Sequence, residues 1–171
     1  MSWRSPTLAT AVLIGALALG LAGCGFQPLY GSTAKGSKLS EVMAAVQVEP
    51  IPGRVGQKLR NELIFANTGG NYAAPSRYKL NIVIKESVTD QLVQITGDAT
   101  GQVYQLDAQF KLMDSTGKVI LEGNAISRAA YNRFQEIFAN VRARYDAENR
   151  AADTVAESIK TRITAYLANA A

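Results

Sequence analysis

The sequence predicts an α+β fold: a four-stranded, mostly antiparallel sheet with two helices packed on one face, in the chain order β-α-β-β-β-α. Two segments, residues 53–67 and the C-terminal region, place apolar residues three, four or seven positions apart, which is the spacing of an amphipathic helix. Other segments alternate apolar and polar residues, as half-buried strands do. Strands joined by short loops are antiparallel, and the two helices can cover their apolar face.

The N-terminal segment predicts export and a lipid anchor. Arg4 precedes an apolar run, residues 8–22, that is shorter than the ~20 residues of a membrane-spanning helix. The run leads into Leu-Ala-Gly-Cys (21–24), which resembles a bacterial lipobox. The resemblance implies cleavage between Gly23 and Cys24, and attachment of a diacylglycerol and an N-acyl chain to Cys24. We therefore expect a signal peptide at 1–23, a lipidated N-terminus and tether at 24–43, and one α+β domain at 44–171.

The first strand and the first helix are predicted between residues 44 and 67. Residues 44–49 alternate well enough for a strand, and Pro50 ends it because proline cannot donate a ladder hydrogen bond. The period then changes, and residues 53–67 form a predicted helix of about four turns, closed by the glycines that follow Asn67. Its apolar stripe is Val55, Leu59 and Leu63. A helix in this place allows the first two strands to lie parallel through a right-handed crossover.

Three further strands are predicted between residues 77 and 131. The first of them turns these apolar side chains to one face: Tyr78, Leu80, Ile82 and Ile84. Glycines interrupt residues 89–101, so we expect a bulged or looped stretch there. Alternation resumes with Tyr104, Leu106, Ala108, Phe110 and Leu112. A hairpin loop at 114–117 then precedes the last strand. The predicted inward residues of that strand are Val119, Leu121, Ala125 and Ala129.

A long amphipathic helix is predicted at the C-terminus, with a start between residues 133 and 139. Its apolar stripe comprises Val141, Tyr145, Ala152, Val155, Ile159, Ile163 and Tyr166. Glu148 lies on the same stripe. Because a carboxylate among apolar side chains is costly unless it is hydrogen-bonded, we predict that Glu148 is a structural cap or bridge.

The composition excludes several classes of function. The chain has no histidine and one cysteine, which excludes Ser-His-Asp and Cys-His catalysis and the usual zinc sites. Carboxylate-pair and Ser-Lys chemistry remain as the common enzymatic options, and the enzymatic alternative is a periplasmic hydrolase that uses carboxylates such as Asp107 and Glu122. The formal net charge is +4 without any basic run, so nucleic acid is not an expected partner. We expect a protein that is not an enzyme and that has no cofactor or metal apart from the covalent lipid on Cys24.

Several short stretches resemble the LptE family of lipopolysaccharide-assembly lipoproteins. They are residues 21–31, 54–61, 78–80, 130–132 and 145–148. The resemblance extends over essentially the whole chain after the lipobox. It implies a protein that fills the lumen of the outer-membrane β-barrel LptD, assists assembly of that barrel, and takes part in lipopolysaccharide transport to, and insertion into, the outer leaflet.

The residue after the lipidated cysteine bears on the membrane in which the protein resides. Lipoproteins retained at the inner membrane carry aspartate there, whereas this chain has Gly25. The sorting rule therefore implies the outer membrane, with the domain facing the periplasm and the barrel lumen. The alternative function is that of an accessory lipoprotein of another envelope lipid or small-molecule ABC export system, which would share the anchor and the small α+β domain.

Basic side chains on the predicted strands are the candidate lipopolysaccharide contacts, because ammonium and guanidinium groups bind phosphates through charge-assisted hydrogen bonds. They are Lys79, Lys85, Lys111, Lys118, Arg128 and Arg133, of which Lys111, Lys118 and Arg128 are the first choice. The alternative is a solvated strand face that prevents edge-to-edge aggregation. Candidate contacts to the barrel are Arg54, Arg60 and Asn61 on the first helix, where they could equally form its exposed face.

Overall fold

The computed structural model describes residues 38–70, 74–93, 99–134 and 136–170. The expected signal peptide, the lipidated Cys24 and most of the expected tether lie outside the described residues. In chain order, the elements are α1 (Leu39–Ala44), β1 (Val46–Val48), α2 (Gly53–Thr68), β2 (Tyr78–Val93), β3 (Ala99–Met113), β4 (Val119–Asn132) and α3 (Ile137–Ala170). The strands form one sheet in the order β1-β2-β3-β4. The predicted α+β class is confirmed, with one additional short helix.

Strand β1 and helix α2 form the parallel part of the sheet. β1 pairs in parallel with the start of β2, which is the direction that the predicted crossover allows. The other strand pairs are antiparallel. α2 ends at Gly69, whose φ of +61° is a left-handed conformation that glycine adopts without strain. The element therefore closely matches the helix predicted over 53–67.

Helix α1 is not predicted by the sequence patterns, which place residues 39–43 in the tether. The structure corrects this boundary, because Leu39, Val42 and Met43 are buried in the hydrophobic core on one helix face. The hydroxyl of Thr164 in α3 donates a hydrogen bond to the sulfur of Met43 at 3.6 Å. A helix this short has little stability of its own, so burial against α2 and α3 determines that it forms.

Strands β2 and β3 are longer than predicted. The pairing of β2 with β3 continues to Val93, which lies opposite Ala99. Gly101 of β3 pairs with Gln91 of β2 and with Asn132 of β4. The expectation of a bulged or looped stretch at 89–101 is therefore wrong for the residues on either side of 94–98, and 94–98 themselves lie outside the described residues. Strand propensity is context-dependent, and pairing on both sides of β3 outweighs the low propensity of a glycine.

A β-bulge near the hairpin sets the facing of the first residues of β4. Leu112 pairs with Leu121, whereas Met113 pairs with Val119, so Ile120 is an extra residue in β4. One extra residue moves the preceding side chain to the other face of a strand. The expectation that Val119 points inward is therefore wrong, and this side chain is 42% exposed. The other predicted inward residues of β4 are buried or partly buried.

The hydrophobic core lies between one face of the sheet and the helices. The predicted inward residues of β3, from Tyr104 to Leu112, are at most 1% exposed. Helix α3 covers them with Ala151, Ala152, Val155, Ile159 and Ile163. Gly123 leaves room for the ring of Phe110, because a Cβ at this position would lie 2.9 Å from the Phe110 Cζ atom. Each fully buried large aliphatic side chain contributes about 1.5–3 kcal/mol to folding.

Candidate functional site

The outer face of the sheet, which is the face turned away from the helices, carries most of the predicted basic residues. The cross-strand register places on this face, among others, Lys79 and Lys85 of β2, Lys111 of β3 and Arg128 of β4, and all of them are exposed. Lys85 lies directly opposite Asp107, and Lys111 lies directly opposite Glu122. The face is therefore polar and carries both signs of charge, as the alternation predicts.

The register divides the first-choice group of basic residues. Lys111 lies opposite Glu122, six positions before Arg128 on β4, which corresponds to about 20 Å along the strand. Arg128 instead lies opposite Gln105 and donates a hydrogen bond from Nε to the Gln105 Oε1 atom at 2.7 Å. Lys118 follows the hairpin loop. The structure thus brings Lys111 and Lys118 to the hairpin end of the sheet and leaves Arg128 apart from them.

Lys79 joins the residues at the hairpin end. It pairs with Met113, whose neighbour two residues earlier on the same face is Lys111. These two side chains are therefore diagonal neighbours across β2 and β3. We use the name hairpin lysines for Lys79, Lys111 and Lys118.

The loop that presents Lys118 is held by a single carboxylate. Asp114 accepts hydrogen bonds from the Thr116 amide at 2.8 Å, the Thr116 hydroxyl at 2.6 Å and the Lys118 amide at 3.0 Å. The hydrogen bond from the Thr116 side chain is the main reason why the pKa of Asp114 is lower than its ordinary value. Gly117 completes the turn with a φ of +83°. The backbone at Lys118 is thereby fixed, while its side chain remains exposed.

The candidate barrel contacts on α2 are largely engaged within the chain. Arg54 forms an ion pair with Glu148 of α3, and its guanidinium carbon lies 4.6 Å from the centre of the Tyr145 ring. Arg60 donates a hydrogen bond from Nε to the Val48 carbonyl oxygen at 3.2 Å. Asn61 is exposed. Of these three residues, only Asn61 therefore has no structural role within the described part of the chain.

Glu148 is the bridge that the sequence predicts. Its side chain is 6% exposed and accepts hydrogen bonds from Arg54 and from the Nε atom of Arg144, the latter at 2.8 Å. The bond to Glu148 is the main reason why the pKa of Arg144 is raised. A buried carboxylate thus holds two guanidinium groups, one from α2 and one from α3. Its predicted structural role is confirmed.

A cleft that the sequence patterns do not predict lies between the first turns of α3 and the sheet. We call it the α3 cleft. It consists of a cavity of about 330 Å³ and a neighbouring one of about 410 Å³, which share Val141 and Arg144. The smaller cavity is further lined by Val88, Gln102, Tyr131, Arg133 and Asn140. The larger is further lined by Arg54, Val55, Glu86, Tyr145 and Glu148. Of the predicted binding residues, the cleft contains only Arg133 and Arg54.

Hydrogen bonds fix most polar side chains around the α3 cleft. The Tyr131 hydroxyl donates to the Gln102 Oε1 atom at 2.7 Å, and the Tyr104 hydroxyl donates to a Glu86 carboxylate oxygen, also at 2.7 Å. Burial, followed by this bond, raises the pKa of Tyr104 above its ordinary range. Asn140 accepts a hydrogen bond from the Phe134 amide and donates one to its carbonyl oxygen. The walls of the cleft are therefore largely pre-formed.

Apolar side chains beside the α3 cleft are exposed. Phe134 is 47% exposed, Ile137 81% and Phe138 76%, and Val141 and Tyr145 continue the same surface. We call these residues the apolar cluster. The prediction that Val141 and Tyr145 belong to the core-facing stripe is thus wrong, although from Ala152 onward the stripe is buried or partly buried. Helix α3 starts at Ile137, within the predicted window, and its first turns carry the apolar face beyond the core.

The two carboxylates considered for a hydrolase, Asp107 and Glu122, lie apart on the outer face of the sheet. Asp107 of β3 lies opposite Ile126 of β4 on the outer face. Ile126 is four positions from Glu122 on β4, so the two carboxylates are separated by about 13 Å along the strands. Neither carboxylate lines either cavity. The two carboxylates that line the larger cavity, Glu86 and Glu148, are both hydrogen-bonded to side chains of this chain. Among the described residues, no group of three or more acidic, histidine or cysteine side chains is placed to hold a metal ion. No helix in the same residues is long and apolar enough to cross a bilayer.

Comparison with known proteins connects this fold to a family. Among solved structures, a lipoprotein from Caulobacter crescentus is similar, with 22% identity and a TM-score of 0.62 over 76% of this chain and 96% of that one. Lipoprotein B from Nitrosomonas europaea is similar as well, with 13% identity and a TM-score of 0.53 over 71% of this chain and 82% of that one. At these identities, the two likenesses concern the fold alone.

The sequence itself was also compared. A search of curated proteins found no match. The family model for LptE, described as lipopolysaccharide-assembly, matches residues 43–163. This range runs from the end of α1 into α3 and covers more than half of the chain. The chain belongs to the LptE lipopolysaccharide-assembly family.

Proposed function

We propose that this protein is an outer-membrane lipoprotein that fills the lumen of the LptD β-barrel and takes part in the transport of lipopolysaccharide to the outer leaflet. The observation that carries the proposal is the family match over residues 43–163. The role is one of binding and support, without catalysis. This fits a set of residues with no paired free carboxylates in either cavity.

The outer face of the sheet is suited to contact a polar barrel wall. Strands β2, β3 and β4 contain 14 to 16 residues each, so this face extends for about 50 Å along the strands. Its exposed side chains are mostly amides, lysines and carboxylates, which can form hydrogen bonds to a polar lumen, and they surround two exposed apolar side chains, Val83 and Ile126. We propose this face, together with the exposed Asn61, as the surface that meets the barrel.

Lipidation at Cys24 supplies the anchor in this proposal. Two or more acyl chains on one residue hold a protein stably at a bilayer. Cys24 precedes the first described helix by about fifteen residues, so the anchor lies at most about 50 Å from Leu39 along a fully extended chain. Such a tether raises the effective concentration of the domain next to a barrel in the same membrane.

The hairpin lysines and the other exposed basic residues are the proposed contacts to lipopolysaccharide phosphates. Lys79 and Lys111 are neighbours on the outer face at the hairpin end of the sheet, where two ammonium groups can act on the same anionic headgroup. The exposed Lys118 follows the hairpin loop at this same end. Lys85 and Arg128 lie further along the face and face Asp107 and Gln105, respectively. The proposal therefore assigns these two a secondary part in phosphate binding.

Co-purification from membranes tests the proposed function. The lipoprotein, isolated under mild detergent conditions from its own envelope, is expected to bring with it a large outer-membrane barrel in constant ratio. Its depletion is expected to reduce lipopolysaccharide at the cell surface. Recovery of ABC-transporter components in place of a barrel, with normal surface lipopolysaccharide, would contradict the proposal and favour the accessory role. Cys24→Ala serves as the control for the lipid anchor, because this change removes the lipidation site and leaves the sequence of the described domain unchanged.

A further inference from the structure

We propose that the α3 cleft and the apolar cluster beside it bind a phosphorylated acyl lipid, with the phosphate at Arg133 and Arg144 and an acyl chain on Phe134, Ile137 and Phe138. This inference rests on the proposed function, because lipopolysaccharide carries such a lipid at its membrane end. It goes beyond that function in assigning the lipid end to a surface distant from the hairpin lysines and built from other elements.

The smaller cavity of the α3 cleft has the charge that a phosphate requires. Arg133 and Arg144 line it, and no carboxylate does. Arg133 has no hydrogen bond or ion pair with any described residue. Arg144 bonds to Glu148 through Nε, so the two terminal nitrogens of its guanidinium remain available. Two guanidinium groups with free N–H donors at one cavity can bind a phosphate in the bidentate geometry that arginine favours.

The larger cavity of the α3 cleft is electrically balanced and is not the proposed phosphate site. Arg54 and Arg144 line it together with Glu86 and Glu148. Both arginines already bond to Glu148, and Glu86 accepts the hydrogen bond of Tyr104. An incoming anion would meet two carboxylates there. The difference between the two cavities therefore directs an anionic group to the side of Arg133.

The apolar cluster provides a surface for an acyl chain next to the proposed phosphate site. Its members in α3, which are Ile137, Phe138, Val141 and Tyr145, follow the i+3 and i+4 spacing of one helix face and extend the buried stripe past the end of the core, and Phe134 lies just before the helix. Contiguous exposed apolar side chains mark surfaces that bind something else, since each Å² that they leave in water costs about 25 cal/mol. Val141 belongs to the cluster and lines both cavities, so the apolar surface and the cationic site adjoin.

A second copy of this chain fits the same surface less well. In a two-fold symmetric contact, each residue near the axis faces its own equivalent. The apolar cluster is accompanied by three arginines, Arg133, Arg142 and Arg144, and by one exposed carboxylate, Glu136, so the surface is net positive. Arg133 and Arg142 have no partner among the described residues. Self-association through the cluster would therefore bring unpaired positive charges together, whereas an anionic lipid neutralises them. Charge complementarity thus favours the lipid.

Titration of the intact lipoprotein in neutral detergent with hexa-acyl lipid A tests the inference. Arg133→Gln removes the unpartnered guanidinium, and the double change Ile137→Ser, Phe138→Ser removes the most exposed apolar side chains. Each variant is expected to weaken lipid A binding about tenfold, the first through the loss of one charge-assisted hydrogen bond and the second through the loss of apolar contact area. Arg142→Gln is the matched control, because this arginine in α3 is likewise unpartnered among the described residues but lines neither cavity. The affinity of this variant is expected to stay within about twofold of the wild type.

Dephosphorylated lipid A separates the two halves of the site. It is expected to bind the wild type and Arg133→Gln equally, since the phosphate contact is then absent from both. Folding of every variant is checked by its thermal unfolding, which should match the wild type because the changed side chains are exposed. Equal lipid A binding by wild type and Arg133→Gln would overturn the inference. The inference would also be overturned if the double serine variant no longer recovered the barrel but still bound lipid A as the wild type does. The apolar cluster would then be a contact to a protein.

The outcome also separates this inference from the proposed function. If lipid A binds the wild type but only Lys111→Gln and Lys118→Gln weaken it, the lipid site lies at the hairpin and the inference is wrong while the proposed function stands. If the wild type binds no lipid A and recovers no barrel, the proposed function fails and this inference fails with it.

Discussion

Replacement of Glu148 tests how helices α2 and α3 are joined. The carboxylate is almost fully buried and bonds to Arg54 and Arg144, whose own side chains are about half exposed. Glu148→Gln keeps the size of the side chain but removes its charge. It leaves one acceptor oxygen, which can form a good hydrogen bond with only one of the two arginines. We expect this change to lower the stability of the fold without creating a cavity.

The expected loss follows from the two bonds and their exposure. A hydrogen bond to a charged group contributes about 1.5–3 kcal/mol, and the lower part of this range applies because water can rehydrate both arginines when they are released. Glu148→Gln is therefore expected to lower the free energy of unfolding by about 2 kcal/mol. For a domain of this size, that corresponds to a decrease in Tm of about 4–8 °C.

Urea unfolding of the wild type and the variant at pH 7 measures this difference. Glu157→Gln is the matched control, because Glu157 lies on the same helix, is exposed and faces Lys160 at 3.6 Å. Exposed pairs of this kind contribute little, so the control is expected to change stability by less than about 0.5 kcal/mol. If both variants unfold at the same urea concentration, the buried bridge does not stabilise the contact between α2 and α3, and the reasoning is refuted. A double-mutant cycle with Arg54→Gln should give a coupling of about 1 kcal/mol.

Three further changes test other parts of the fold. Gly56→Ala should destabilise by about 1–3 kcal/mol in urea unfolding, because a Cβ there would lie 2.7 Å from the Ile51 Cγ2 atom and 2.8 Å from its backbone oxygen; unchanged stability would show that Ile51 can move away. Asn67→Leu should stabilise by about 1 kcal/mol in the same assay, since the buried amide nitrogen and oxygen have no partner among the described residues, and a loss of stability would reveal a partner. Asp114→Asn should lower the Tm at pH 7, and this deficit should shrink once the pH falls below the ordinary carboxyl pKa of 3.8 and disappear when the carboxyl is protonated, because a carboxyl with a lowered folded pKa contributes stability that is lost as the pH falls through that pKa. A deficit that persists at pH 2 would contradict this account.

Three features that depend on nearby residues are predicted correctly by the sequence: the inward face of β3, the bounds of α2 and the pairing of Glu148. The inward residues of β3 and the bounds of α2 follow from alternation and from helical spacing, and both are found in the structure. Glu148 was predicted to be paired because a lone buried carboxylate is costly wherever the partner comes from. The α+β class and the chain order of the four strands and two longer helices follow from the sequence of these periods along the chain.

The elements that were mispredicted depend on contacts between distant residues. Residues 39–43 are too few to show a helical period, and they are helical because they pack on α2 and α3. Strand β3 includes Gly101, and β2 continues to Val93, because the two strands supply each other with ladder hydrogen bonds. Val119 points outward because β4 has one more residue than β3 at the bulge, where Ile120 is unpaired. A bulge cannot be located from the sequence of one strand without knowing its partner strand.

The sequence by itself determined which side chains are charged, which face of each strand they occupy, and which family the chain resembles. Only the tertiary structure determined which of them meet: the register places Lys111 at the hairpin end of the sheet and Arg128 about 20 Å away, and the packing of α2 on α3 pairs Arg54 with Glu148. The placement of the first turns of α3 beside the sheet brings Arg133 to a cavity with Arg144, eleven positions later. The physical reason is that periodicity is a local property of the backbone, whereas a binding site is defined by distances between segments, which strand register and helix packing set.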